Sequence, residues 1–233
     1  YRNYNEALPL YVELANADAN NANVSYKAGF CYLMSAGDKS RAIPFLEKAV
    51  ANTSKSYEEF SANEKRAPEI AIYDLANAYQ INMQFDKARD VQSKIRELYP
   101  GHPVLSLLNG MITYWENYPL VSTNNARFSY ENEMRQCIKL CENRKDTIYE
   151  AEYLLINLSA RGMLLMYYAD NDLSFLVISL MPNTYGLIRK AFDFVSANVD
   201  LNYFTGLYNY YREAYPKAYP VYQPIAFLFP GGN

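Results

Sequence analysis

An all-α fold made of antiparallel helix pairs is predicted by three observations. A pattern of small residues followed by tyrosine recurs along the chain, apolar residues keep helical spacing inside each copy, and short polar turns separate the copies. With 233 residues, 50% hydrophobic and 20% charged, the chain buries a sizeable core without disulfide or metal support, which excludes disordered and collagen-like classes. Its 22 basic and 25 acidic residues give a net charge of -3, so the basic face that phosphate contacts demand is missing and nucleic acid is not an expected partner. The composition is unusual in its 24 tyrosines beside one tryptophan and one histidine; each tyrosine brings apolar area with a polar tip, suited to half-buried positions between helices or in a groove. No apolar run nears the roughly 20 residues of a membrane-spanning helix, and no signal peptide is visible.

The first element, Tyr4-Asn5-Glu6-Ala7-Leu8-Pro9-Leu10-Tyr11, is read as half a pair. A full pair follows: Ser25 to Tyr32 packs through Ala28, Gly29 and Tyr32, and Gly37 to Ala49 packs through Ala42, Leu46 and Ala49, with Asp38 as the expected helix cap. Ala7 and Pro9 stand where Ala42 and Pro44 stand later, which argues for duplication. The next pair runs from Leu75-Ala76-Asn77-Ala78-Tyr79 through a turn at Asn82-Met83-Gln84 to Phe85, Ala88, Ile95 and Pro100. Between the pairs, Asn52 to Lys65 is polar and is expected to lengthen helices or form a loop. A step of 34 residues, from position 76 to position 110, then lands on Gly110 in Leu107-Leu108-Asn109-Gly110-Met111.

These residues resemble tetratricopeptide (TPR) repeats, whose unit of about 34 residues favours a small pair in helix A, a tyrosine three residues on, alanine in helix B and proline at the exit. Gly29, Tyr32, Ala42 and Ala49 fit, as do Leu75, Ala76, Tyr79, Ala88 and Pro100. Ser25 and Ile72 replace the usual tryptophan, Gln92 replaces the helix B aromatic, and Thr113 stands where tyrosine is expected. The resemblance implies a right-handed α-α superhelix of TPR-like antiparallel helix pairs, with repeats over residues 1–115 (a half repeat, two full units and the start of a fourth) and divergent helical repeats over 116–233.

In the second half, Glu131 to Glu142, Glu150 to Tyr168, Ile188 to Val199 and Tyr203 to Tyr215 are expected helices, the last two forming a pair. Gly206 followed by Tyr210-Tyr211 repeats Gly110 followed by Tyr114-Trp115. The segment from Gly206 to Tyr211 and the closing Phe227-Leu228-Phe229-Pro230-Gly231-Gly232-Asn233 resemble repeat proteins of Bacteroidota, whose TPR regions stand beside OmpA-like domains in envelope and type IX secretion proteins. That likeness implies a bacterial cell envelope, on the periplasmic side, with outer-membrane or secretion components as partners. The opening without methionine and the closing turn residues predict a longer native protein, truncated here at the C-terminus.

A search for catalytic chemistry returns no positive case. His102 lies in an inter-repeat turn without a nucleophile or carboxylate at catalytic spacing, and Glu58-Glu59 and Glu131 with Glu133 read as solvated faces. There is no phosphate-loop pattern. Cys137 and Cys141 share a helix face, yet one histidine cannot complete a zinc site around them, so the cysteines are expected to be small buried residues. A non-enzymatic protein with no cofactor and no metal is the expectation.

Stacked repeats line a concave groove with one face of each helix A. Registering that face by the family pattern selects Asn23, Tyr26, Lys27 and Phe30; Tyr73, Asp74, Asn77 and Gln80; Met111, Tyr114 and Trp115; and then Tyr203, Leu207, Tyr210 and Tyr211. Aromatic anchors with amide side chains suit capture of an extended peptide or a partner helix, which makes a protein-interaction scaffold the expected function. Lys27 and Asn77 form only a fragment of the clamp by which related domains hold a terminal carboxylate. A glycan or small molecule stacked on the tyrosines is the alternative.

Overall fold

Helix ends in this chain are set by asparagine. Asn3 and Asn21 accept from the main-chain N–H groups of Glu6 (3.4 Å) and Val24 (3.2 Å) and so start helices α1 (Tyr4–Ala17) and α2 (Ala22–Met34). A computed structural model describes residues 3–144, 149–196, 198–226 and 228, and the fold is all-α. The remaining helices are α3 (Ile43–Ala49), α4 (Ile70–Ile81), α5 (Phe85–Leu98), α6 (Pro103–Glu116), α7 (Ala126–Glu142), α8 (Glu150–Asp170), α9 (Ser174–Ala191), α10 (Val199–Ala218) and the single turn α11 (Gln223–Ala226). The closing motif lies outside the described residues except for Leu228. Among the described residues no helix is long and apolar enough to cross a membrane.

Two compact units divide the chain, Tyr1–Gly101 and His102–Asn233. The division read from sequence, at about residue 115, marks where the repeat pattern fades; the physical boundary lies ahead of α6, which packs with α7 and α8 of unit 2.

In unit 1 each helix packs on its neighbour in sequence, from α1 on α2 through α4 on α5. Ala28, Ala42, Leu46 and Ala49 are buried, and Tyr32 stacks on Phe45 with ring centroids 5.7 Å apart, so the expected first pair is present. Its second helix opens with a 3-10 turn, Lys39–Ala42, capped by Asp38, and Pro44 occupies the first turn of α3. The turn between α4 and α5 falls at Asn82-Met83-Gln84 as expected, with Met83 at φ 57. Residues 52–69 are a loop rather than helical extension; their only regular feature is a parallel pairing of strands β1 (Thr53–Ser54) and β2 (Ala67–Pro68).

Unit 2 is built around α8, which packs on α6, α7 and α9. Tyr130, Met134, Cys137, Leu164, Tyr167 and Tyr168 form its core, and the three free cysteines of the chain are all buried. A buried Arg161, 3% exposed, gathers Glu142 from α7 (2.6 Å), Asn157 from α8 (2.9 Å) and Thr184 from α9 (3.5 Å), so three helices share one guanidinium. The expected helix over Ile188 to Val199 is corrected: this stretch holds the end of α9, a 3-10 turn at Phe192–Phe194 and the start of α10. The helix that packs on α10 is α9, whose apolar pattern is interrupted by Pro182 and Gly186.

Close approach explains two glycines. A Cβ on Gly29 would lie 2.7 Å from Leu46 Cγ and 2.9 Å from its Cδ2, whereas one on Gly110 would meet the terminal methyl of Met134 at 2.7 Å. Gly206, by contrast, faces open space, so its likeness to Gly110 does not extend to packing. Gly29→Ala is therefore expected to lower stability by about 1–3 kcal/mol through overpacking against a branched carbon. Gly110→Ala is expected to stay within ~1 kcal/mol of the parent, because the Met134 methyl can swing aside and alanine favours the helix. Urea titrations of both variants check the contrast.

Candidate functional site

Two surfaces carry the residues selected from sequence, one in each unit. In unit 1, α2 presents Asn23, Tyr26, Lys27 and Phe30 on one face, and α4 presents Tyr73, Asp74, Asn77 and Gln80. Asn23, Asp74 and Gln80 are buried, while Tyr26, Lys27, Phe30, Tyr73 and Asn77 are half-buried. The Tyr26 hydroxyl of α2 and the Asp74 carboxyl of α4 shift each other's ionisation across the two helices. The face is not open: residues 52–66 lie on α2. Asn23 donates its amide to the Glu64 carbonyl (3.0 Å) and accepts from the Tyr57 hydroxyl (2.8 Å), and Lys27 Nζ reaches the Glu59 carbonyl (3.4 Å) and stands 5.9 Å from the Tyr11 ring. Tyr26 and Phe30 contact each other with centroids 5.8 Å apart, and Tyr4 meets Phe30 edge-on.

The electrostatics of this face are uneven. Burial pushes the Asp74 carboxyl up to about 7, with the Tyr26 hydrogen bond pulling the other way, and its Oδ2 has no hydrogen-bond partner among the described residues. The Tyr26 hydroxyl is raised by burial and by the Asp74 charge, with smaller contributions from Tyr57 and Glu59. Glu64 has the opposite fate: Arg66 and two main-chain N–H groups hold its carboxyl down at about 2.

In unit 2, Met111 and Tyr114 point inward; Tyr114 is buried against Tyr130, and Met111 packs on the same core. Trp115 is 39% exposed and Tyr118, one turn on, 61%, their rings 5.4 Å apart. On α10, Tyr203 and Tyr210 are each 65% exposed on the outer face, and Leu207 between them is half-buried. Tyr211 begins a ladder that spacing alone could have revealed: Tyr211, Tyr215 and Tyr219 follow at four-residue intervals with centroids 5.7 and 5.0 Å apart. Tyr118, Tyr215 and Tyr219 were not among the residues selected from sequence.

Both aromatic groups lie at the same end of unit 2, around the last turn of α8. Tyr114 and Tyr215 are each pushed up to about 12, by burial first and in both cases also by the charge of Asp170. Asn171 fastens the neighbouring loop there, donating to the Leu120 carbonyl (3.1 Å) and accepting from the Ser122 N–H (2.6 Å). Trp115 with Tyr118, and Tyr211 with Tyr219, are thus two sets of exposed rings beside a core of buried tyrosines, and Asp170 is exposed as well.

Two residues set aside as unremarkable have structural partners. His102 caps α6, its Nδ1 accepting from the Val104 N–H (3.3 Å) while Nε2 faces Glu152 at 3.9 Å. Glu131 is half-buried rather than solvated, and accepts from the Tyr168 hydroxyl (3.3 Å). Among the described residues, no three His, Cys, Asp or Glu side chains gather as metal ligands.

A raised Asp74 means that the folded chain holds this proton more tightly than the unfolded one. Stability tied to it is full below about 4, the unfolded value, and is lost as the pH rises through about 7. Asp74→Asn removes the buried charge at nearly constant shape and is expected to raise stability at pH 8 by roughly 1–3 kcal/mol and to change it little at pH 4. Thermal melts of parent and variant across that range check it. Comparison of the chain with protein-family models, curated proteins and solved structures returns no match.

Proposed function

We propose that this chain is a non-enzymatic interaction scaffold that receives partner segments on the faces of its helix pairs. The tetratricopeptide resemblance supplies the wider frame: a right-handed superhelix of repeats, held on the periplasmic side of a bacterial cell envelope, with outer-membrane or secretion components as partners. The observation that carries the reading is the exposure of aromatic rings in unit 2. Trp115, Tyr118, Tyr211 and Tyr219 present large rings to solvent beside a core already filled by Tyr114, Tyr130, Tyr167 and Tyr222. Exposed rings already held against a neighbouring ring, Trp115 on Tyr118 and Tyr211 and Tyr219 on Tyr215, lose little side-chain entropy on binding and give desolvated area, the character of interaction anchors.

The ladder of Tyr211, Tyr215 and Tyr219 favours a second reading, a glycan platform, because stacked phenol rings offer apolar faces and hydroxyl edges together. A selection of displayed peptides on the intact chain, set beside a panel of soluble glycans, separates the two. The first reading expects enriched peptides that lose at least ~10-fold in affinity when Trp115→Ala, Tyr211→Ala and Tyr219→Ala are combined, with helical content unchanged. Saturable glycan binding without enriched peptides would establish the second. Peptides that bind parent and triple variant equally, or no binder of either class, would overturn both.

A further inference from the structure

The turn that joins α8 to α9 carries two carboxylates and has aromatic groups on both sides. Asp170 and Asp172 are exposed there, Asp172 in the left-handed conformation (φ 56), and among the described residues neither is in an ion pair. Hydrogen bonds bring the aromatic groups to this turn. Asn171, between the two acids, donates to the Leu120 carbonyl (3.1 Å) and accepts from the Ser122 N–H (2.6 Å), which anchors the loop that leaves α6 through Tyr118. From the other side the Tyr222 hydroxyl donates to Ser174 Oγ (3.4 Å), and the Tyr222 ring meets Tyr215 and Tyr219 with centroids 5.8 and 6.4 Å apart. The charge of Asp170 acts on the hydroxyls of Tyr114 and Tyr215 alike, so it lies within electrostatic reach of both groups.

This surface lacks a cation. Elsewhere the chain covers rings with cationic side chains of its own: Arg41 stands over Tyr32 (5.0 Å), Arg127 over Phe128 (4.4 Å) and Arg144 over Tyr153 (5.0 Å). Among the described residues no cation stands over Trp115, Tyr118, Tyr215 or Tyr219. Negative charge beside uncovered ring faces is complementary to a group that is both cationic and flat. A guanidinium meets both demands, pairing with a carboxylate through its N–H fork while its plane lies on a ring; an ammonium is a more strongly hydrated point charge with no plane to stack.

We propose that the α8–α9 turn captures an arginine side chain of a partner polypeptide, with Asp170 and Asp172 receiving the guanidinium and the neighbouring rings covering its plane and stem. This rests on the reading of unit 2 as a receptor for partner segments and adds what such a segment carries. Exposed ion pairs contribute little by themselves, so the rings set most of the affinity and the acids set the choice of side chain.

The test uses the full chain and a synthetic peptide of two Gly-Arg-Gly units, blocked at both ends, beside versions in which lysine or neutral citrulline replaces arginine. Trp115 is the only tryptophan of the chain and its ring meets Tyr118, so its fluorescence reports binding at this surface. The arginine peptide is expected to change that fluorescence saturably, with a midpoint of roughly 1 mM or below. The lysine peptide is expected to bind at least ~3-fold more weakly and the citrulline peptide at least ~10-fold more weakly. Asp170→Asn combined with Asp172→Asn is expected to weaken the arginine peptide at least ~5-fold, whereas Asp90→Asn with Glu97→Gln, an equal loss of charge at exposed positions of unit 1, leaves it unchanged. Both replacements in the turn keep side-chain shape, and asparagine suits the left-handed position of Asp172, so the variant is expected to fold as the parent does. No saturable response, lysine or citrulline binding as tightly as arginine, or equal losses in the two double variants overturns the proposal. Displayed peptides that depend on the Trp115, Tyr211 and Tyr219 rings but carry no arginine would overturn it too while leaving the scaffold reading standing; failure of that reading shows instead as a selection without ring-dependent peptides.

Discussion

In three of the helix pairs the last turn of the first helix decides where its partner can lie. In α4, α6 and α8 the residue that closes the helix is an asparagine in nearly the same backbone conformation, and its side-chain amide donates back to the carbonyl four residues earlier: Asn82 to Ala78 (2.7 Å), Asn117 to Thr113 (2.8 Å), Asn171 to Tyr167 (2.9 Å). After Asn82 and Asn171 the chain takes one left-handed step, at Met83 (φ 57) and Asp172 (φ 56). The next N–H then returns to the helix, Gln84 to Tyr79 (2.9 Å) and Leu173 to Tyr168 (2.8 Å). Together with the bonds from Met83 to Gln80 and from Asp172 to Ala169, these complete the double-bonded helix stop that reverses a chain within two residues. Without that reversal the second helix could not lie against the first. The match between Tyr79-Gln80-Ile81-Asn82-Met83-Gln84 and Tyr168-Ala169-Asp170-Asn171-Asp172-Leu173 means that one turn design serves a pair in each unit.

Tyrosine does in this protein what leucine does in most helix pairs, with an added requirement. Tyr130 donates to the Met163 carbonyl (2.6 Å), Tyr79 to the Glu47 carboxylate, and Tyr168 joins Glu131 and Arg135. A buried phenol without such a partner forfeits part of the stabilisation its ring provides, as at Tyr167, whose buried hydroxyl has no hydrogen-bond partner among the described residues. The high tyrosine count is thus in large part a packing device, and its presence alone says nothing of ligands. Exposure separates two groups of tyrosines: Tyr114 and Tyr130 fill unit 2, whereas Tyr118, Tyr211 and Tyr219 stand outside it with their rings in contact with neighbours.

How much of this could be read beforehand follows from which forces leave a local trace. The pairs over 25–49 and 70–98 were legible because small residues and apolar spacing act within one helix, and Gly29 against Leu46 is that signal made physical. The conformation of residues 52–66 was not legible: polar residues without periodicity settle through long-range hydrogen bonds, such as Tyr57 to Asn23, that no window of sequence contains. The same limit explains the groove register. Asn23, Asp74 and Gln80 lie on the expected helix faces, yet burial by their own chain is a tertiary fact, and Tyr114 lies on an expected position that turns out to face the core. Tyr215 and Tyr219 were readable in spacing but were passed over because the Gly206 motif drew the register toward Tyr203 and Tyr210.

Two carboxylates in unit 1, one in the loop and one in the helices beneath it, are shifted in opposite directions by their surroundings. Glu64 meets Arg66 and the N–H groups of Glu58 and Arg66, all supplied within ten residues, so its low pKa belongs to the loop. Its stabilising effect is present above the usual glutamate range and is lost only as the pH falls through about 2. Asp74 belongs to the helices beneath, where desolvation outweighs the single Tyr26 donor and its effect runs the other way, weakening unit 1 as the pH rises through about 7. Each acid is thus satisfied or frustrated within its own layer, Glu64 by the loop and Asp74 by the helices beneath it.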